Sequence, residues 1–257
     1  MTTRAASWAI LTVAAACGHV DFATQRDGSS ADAHEGDGDA AAGYAALIAT
    51  DRPIAYWKFD EASGRTALDS AGNNPGQIGG QLERGAGVAG SAGLVFDGAT
   101  TRVEFGDAFP FAGAQPYTLE LWIKPRVVDD RVRFLISRRT PTGAEGYTLY
   151  YGKDFVLASR TIAGVEQAYA AGPVLVAGRF THVAATYDGT EVALYLDGVY
   201  QGGMVAAPLA AALPGALVMG ELESTTFYKV DGVVDEVAFY DTALAPARIA
   251  AHHAAGR

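Results

Sequence analysis

The chain has a single cysteine, Cys17, in 257 residues. No intramolecular disulfide can form, so the folded part rests on its core, with or without a metal, and not on covalent staples. Basic residues are also scarce: lysine and arginine number 19 against 29 aspartates and glutamates, for a net charge of -10. Binding a phosphate backbone needs clustered cations, and the densest basic spot is only the pair Arg138-Arg139, which excludes nucleic acid as a partner. A helix that crosses a bilayer needs roughly 20 apolar residues. The run Ala5 to Ala16 is only 12 residues long, too short to span. His182 stands alone and His252-His253 sit near the end, with no partner at nucleophile or zinc spacing. The glycine-rich Gly85 to Gly93 lacks the Lys-Ser/Thr ending of a phosphate loop, so nothing points to a nucleotide.

What is present divides the chain in three. Arg4, the apolar run and the small residues Ala14-Ala15-Ala16 have the charged, hydrophobic and cleavage regions of an export signal, residues 1–16. Cys17 directly after them resembles the lipidated cysteine of a bacterial lipoprotein, although Ala14 stands where such signals usually carry Leu. The other reading is ordinary cleavage near Ala16, which leaves a free thiol. Residues 17–43 follow as an acidic linker: six acids against Arg26, and almost no large apolar side chain to offset ordering entropy. A flexible linker of this length spans about 25 to 30 Å, enough to hold a domain off a membrane surface.

Residues 44–257 read as one all-β domain. Aromatics make up 10% of the chain and 31 residues are glycine, the composition of a globular protein rich in turns. From Ile54 onward short runs alternate apolar and polar residues, with helical periodicity nearly absent. In Thr101 to Phe105, Val103 and Phe105 share one face and Arg102 and Glu104 the other. Thr118 to Pro125 sets Leu119, Leu121 and Ile123 against Glu120, Trp122 and Lys124. Further strands are predicted over 133–137, 147–151, 155–159, 180–187, 191–196 and 232–240, with tight turns at Asp188-Gly189 and Asp197-Gly198. Pro246 falls just inside a short terminal helix, and a helical turn is predicted at Tyr44 to Ala49. Many short strands between turn signals predict a two-sheet antiparallel sandwich with a short helix near each end.

Five stretches, in order, resemble the LamG-like jelly-roll family of the concanavalin A-like lectin and glucanase fold. They are Pro53 to Glu61, Asp69 to Gly72, Leu94 to Gly98, Phe180 through Gly198, and Val234-Asp235-Glu236-Val237 through Leu244. The resemblance extends over nearly all of residues 44 to 254. The resemblance implies a jelly roll, and by analogy a module for sugar binding, adhesion or scaffolding. Relatives sometimes hold Ca²⁺ through an aspartate after an apolar strand and one in the last strand. The matching positions are Asp97 and Asp235, although Asp-Gly is equally an ordinary turn pair.

Glycosidases on this fold need two carboxylates on one strand face. Asp235 and Glu236 are adjacent, so strict alternation points them to opposite faces. Glu221 and Glu223 have the right spacing but lack the third acid of the Glu-x-Asp-x-x-Glu pattern. No catalytic residue is assigned. An aromatic on an open sheet face can stack on a sugar ring, and Trp122 is the leading candidate, joined by Tyr150 and Tyr195; the competing reading of Trp122 is core covered by loops. The expectation is an exported, lipid-anchored, non-catalytic binding module. Its partner is a polysaccharide or a surface protein, with a structural or adhesion scaffold as the alternative and a diverged hydrolase as the least favoured.

Overall fold

The computed structural model describes residues 35–171, 175–210, 214–222 and 228–257. The stretch expected to be an export signal, Cys17, most of the expected linker and Glu223 lie outside them. The described residues form two antiparallel sheets of eight strands. The first sheet runs β14 (Val199–Val205), β13 (Glu191–Leu196), β12 (Thr181–Tyr187), β7 (Tyr117–Pro125), β16 (Asp231–Tyr240), β5 (Ala92–Asp97) and β4 (Arg84–Ala86). In it β1 (Ala55–Trp57) pairs the second half of β16 and β5 pairs the first half. The second sheet runs β11 (Val165–Ala171), β10 (Phe155–Ile162), β9 (Gly146–Gly152), β8 (Arg133–Arg139), β15 (Leu217–Met219), β6 (Arg102–Glu104), β3 (Gly76–Gly79) and β2 (Thr66–Ala67). The predicted all-β sandwich is the fold observed.

The core lies between the sheets and follows the alternation read from the sequence. Leu119, Leu121 and Ile123 of β7 enter it beside Val183, Leu194 and Phe239. Val103 and Phe105 enter from the other sheet, while Arg102 and Glu104 turn outward and pair at 2.6 Å. Each fully buried Leu, Ile or Phe contributes roughly 1.5 to 3 kcal/mol. Register is fixed locally by turns such as Asp197-Gly198, both at positive φ (49° and 75°), the conformation of a two-residue hairpin loop.

Two helices, α1 (Glu35–Thr50) and α2 (Pro246–Ala255), frame the strands. Helix α2 begins with Pro246 in its first turn, where the missing amide costs nothing. Helix α1 begins ahead of Tyr44, inside the stretch expected to be linker. Its alanines are strong helix formers, and Tyr44 and Ile48, one turn apart, give it a face to bury.

Candidate functional site

The two sheets differ in what covers their outer faces. On the first sheet both helices lie against the strands, with Tyr44 and Ile48 of α1 and Ile249 and His252 of α2 all buried. Trp122 therefore offers no stacking face. It is 3% exposed, its Nε1 donates to the Tyr44 hydroxyl at 3.0 Å, and the His253 ring stacks on it at 5.6 Å. Tyr195, 5% exposed, packs with Ile249 and Leu244. Both are corrected from sugar platforms to core, because helices remote in sequence cover the face that alternation left open.

Beneath the helices is a buried polar hub. Glu120 of β7, with no exposed surface, accepts a hydrogen bond from the Tyr240 hydroxyl at 2.5 Å. The Nδ1 of His252 lies 3.0 Å from both Glu120 oxygens, and His182 Nε2 lies 3.2 Å away. The other nitrogen of His252 is 2.7 Å from Asp51, which also takes Nε and Nη2 of Arg248. With a carboxylate at each nitrogen, His252 is an imidazolium. Burial alone would lower its pKa, but Glu120 and Asp51 outweigh burial and raise it. Glu120 is held down to about 2, since its histidine partners outweigh the desolvation that pushes it up. Held between these two carboxylates, His252 ties α2 to β7 and to the residue that follows α1.

The premise that Asp235 and Glu236 face opposite ways fails. The register of β16 against β7 shifts between Asp235 and Ala238, and Glu236 adopts φ 51°. This bulge inserts a residue, so both carboxyls turn to the outer side while Val234 and Val237 stay in the core. Neither carboxyl is accessible, at 0% and 1% exposed. Asp235 accepts from the Val88 amide (2.9 Å) and Ser91 Oγ (2.8 Å), and Glu236 accepts from the Tyr56 hydroxyl. Burial raises both pKa values, and mutual repulsion adds to the rise at Glu236.

The two expected calcium ligands are not brought together. Asp97 pairs across β5 and β16 with Asp231, four residues before Asp235. At about 3.3 Å per residue that is roughly 13 Å, too far for two ligands of one ion held at about 2.3 to 2.6 Å. Asp97 is also saturated, accepting from the amides of Ala99, Thr100 and Thr101 and from Thr100 Oγ1. These bonds outweigh desolvation and hold its pKa well below the usual range. It is the turn-forming aspartate of an Asx turn. Glu221 is spent as well, buried between Arg102 (3.6 Å) and Lys229.

The outer face of the second sheet carries a cleft of 280 Å³. A bulge in β8 between Phe134 and Ile136 places Leu135 and Ile136 both in the core and turns Phe134 outward, opposite Tyr150 of β9. The two rings stack at 4.5 Å, and Tyr228 stands edge-on to Phe134 at 5.6 Å. Tyr228 is 43% exposed and sits at φ 68°, a conformation bulky residues rarely adopt and one that collects at binding sites. Arg139 and Glu166 close the cleft with opposite charges. Burial first and Glu166 second raise the Tyr150 pKa, so its hydroxyl stays a donor to Glu166 at 3.2 Å. Arg139 also shows why its neighbour is not part of a basic patch: Arg138 turns inward to the Ala108 carbonyl (2.7 Å) and Asp107 (2.5 Å).

Beyond Val132 and Tyr228, which line both, a second cleft of 580 Å³ opens at the end of the sandwich. Its charged side chains are mostly paired: Arg133 with Asp129 (2.6 Å), Lys229 with Glu221, Asp130 with Lys153 (3.4 Å) and Asp231 with Arg126 (2.8 Å). Of the predicted ring platforms, Tyr150 alone lies on this face. Phe134, Tyr228 and Arg139 were not predicted as site residues.

Residues 97–250 match the family model Laminin_G_3, described as the concanavalin A-like lectin/glucanases superfamily. A search of curated proteins finds no match. Among solved structures the fold is similar to domain 4 of AbnA, a GH43 extracellular arabinanase from Geobacillus stearothermophilus, in complex with arabinotriose. The identity is 20% and the TM-score 0.64, over 79% of this chain and 98% of that one. It is also similar to the receptor binding domain of botulinum neurotoxin D (11%, TM-score 0.64, 81% of this chain and 53% of that one). A third is the binding domain of Paraclostridial Mosquitocidal Protein 1 (12%, TM-score 0.63, 80% and 52%). The chain spans about half of each toxin domain. At these identities the likeness is one of fold.

Proposed function

The chain belongs to the concanavalin A-like lectin/glucanase superfamily, and from that premise we propose that it is a non-catalytic carbohydrate-binding module whose site is the cleft on the second sheet. The observation that carries this reading is the difference between the faces: helices cover Trp122 and Tyr195 on one, while the other presents an aromatic stack beside an arginine and a glutamate. A flat apolar ring with planar polar groups at its edge suits the two-sided chemistry of a sugar. The arabinotriose bound by the AbnA domain supports the same ligand class. A non-catalytic role fits the state of the acids, since the Asp235-Glu236 pair is sealed under α1 and the Val88 turn and Glu221 is neutralised.

The test is retention of the chain on a glycan array, with Tyr228→Ala and Tyr150→Ala as variants. The reading expects specific retention that both variants lose while keeping the far-ultraviolet dichroism of the parent. Retention that neither variant changes would place the site elsewhere.

A protein partner is the second reading, and one observation favours it. Edge strand β14 exposes Val199 (60%), Tyr200 (51%) and Val205 (75%) with no Lys or Pro to block pairing. Self-association that Val205→Lys abolishes would support it. Export, with a lipid on Cys17 tethering the module to the cell envelope, completes the proposal. Mass spectrometry of the mature amino terminus tests it, with a diacylated Cys17 expected and a free thiol contradicting it.

A further inference from the structure

Resting on the carbohydrate reading, we propose that the two clefts form one track for a neutral oligosaccharide, with Tyr228 as the ring at its middle. Val132 and Tyr228 line both clefts, so a chain stacked on the exposed Tyr228 ring reaches the Phe134-Tyr150 face on one side and the end of the sandwich on the other. The smaller cleft, 280 Å³, lies just below the usual range of ligand pockets and the larger, 580 Å³, within it, so a single sugar leaves most of the track empty.

Charge then selects the ligand. Arg139 and Glu166 cancel in the first cleft, and in the second every charged side chain except Arg131 already has an opposite partner. Apart from Arg131, an ionic sugar of either sign therefore meets counter-charges that are already paired or balanced. A neutral chain of hydroxyls meets no such competition and uses the polar side chains that line both clefts.

The experiment is calorimetric titration of the chain with arabino- and xylo-oligosaccharides from monosaccharide to hexasaccharide, and with oligogalacturonates of the same lengths. The track expects affinity in at least one neutral series to rise roughly tenfold or more between the disaccharide and the tetrasaccharide, with oligogalacturonates roughly tenfold weaker. Arg131→Ala, at the far cleft, should weaken the longer ligands more than the disaccharide, whereas Tyr228→Ala should weaken all of them. Binding that does not grow with length, or oligogalacturonates as tight as the neutral chains, overturns the track and leaves the carbohydrate reading standing. No binding by any series, together with an empty glycan array, overturns both.

Discussion

Replacing His252 with alanine removes the centre of the buried hub. Glu120 loses its 3.0 Å imidazolium partner while remaining fully buried, and Asp51 loses a 2.7 Å contact but keeps Arg248. Breaking a buried pair by deleting one partner costs about 3 to 5 kcal/mol, because an uncompensated charge stays behind. Arg248→Ala breaks an ion pair to the same Asp51, but at an exposed, solvent-screened side chain, so its cost is the smaller one. For a domain of this size 1 kcal/mol moves Tm by roughly 2 to 4 °C, so His252→Ala should lower it by about 10 °C and Arg248→Ala by less. The assay is thermal and urea unfolding followed by tryptophan fluorescence, since Trp122 is hydrogen-bonded to α1 and reports on the helix docking. The difference between His252→Ala and parent also depends on pH. The raised pKa of His252 means its contribution is full below its unfolded value near 6.5 and is lost as pH rises through the folded value. Glu120, held down to about 2, contributes above its unfolded value near 4.5 and loses that contribution as pH falls toward 2. The penalty should be largest between about pH 4.5 and 6.5. If His252→Ala shifts Tm no more than Arg248→Ala across that range, the hub is not what holds the helices.

Other outcomes follow from the same contacts. Glu236→Gln keeps an acceptor for Tyr56 and removes a buried carboxyl whose pKa is raised by burial; the folded state holds that proton too tightly, so parent stability falls as pH rises above about 4.5. The variant's Tm should therefore gain on the parent between pH 5 and 8, and a constant difference would refute the assignment. Trp122→Ala should cost about 3 to 5 kcal/mol, measured by urea unfolding, as a buried aromatic under two helices does. A cost near zero would return it to the surface. Asp235→Asn should leave any calcium-induced rise in Tm unchanged, because Asp235 and Asp97 do not share a site; abolition of such a rise would contradict the geometry.

Where the sequence reading succeeded and failed has a physical pattern. Leu119, Leu121 and Ile123 were legible as core because one face of a strand against the other is a local property. Trp122 and Tyr195 were not, because what covers a second face is decided by α1 and α2, far away in the chain. Alternation also fails at a bulge. The extra residue at Glu236 brought two acids to one side, and the one in β8 turned Phe134 outward onto Tyr150. No period-two pattern signals either event. Helix α1 was underestimated because alanine and glycine look like spacer composition, although Tyr44 and Ile48 gave it an anchor. Half of the doublet Arg138-Arg139 belongs to the cleft, but adjacency in sequence hid that the two side chains part to opposite faces.

In the proposed function the second sheet binds and Trp122 of the first is core under the helices. Amide and indole chemical-shift mapping during titration with arabinotriose, or with whichever glycan the array retains, tests it most directly. The account predicts shifts concentrated at Phe134, Arg139, Tyr150 and Tyr228, with the Trp122 indole, bonded to Tyr44, unmoved. Shifts centred on Trp122 and α2, with those four residues silent, would contradict it.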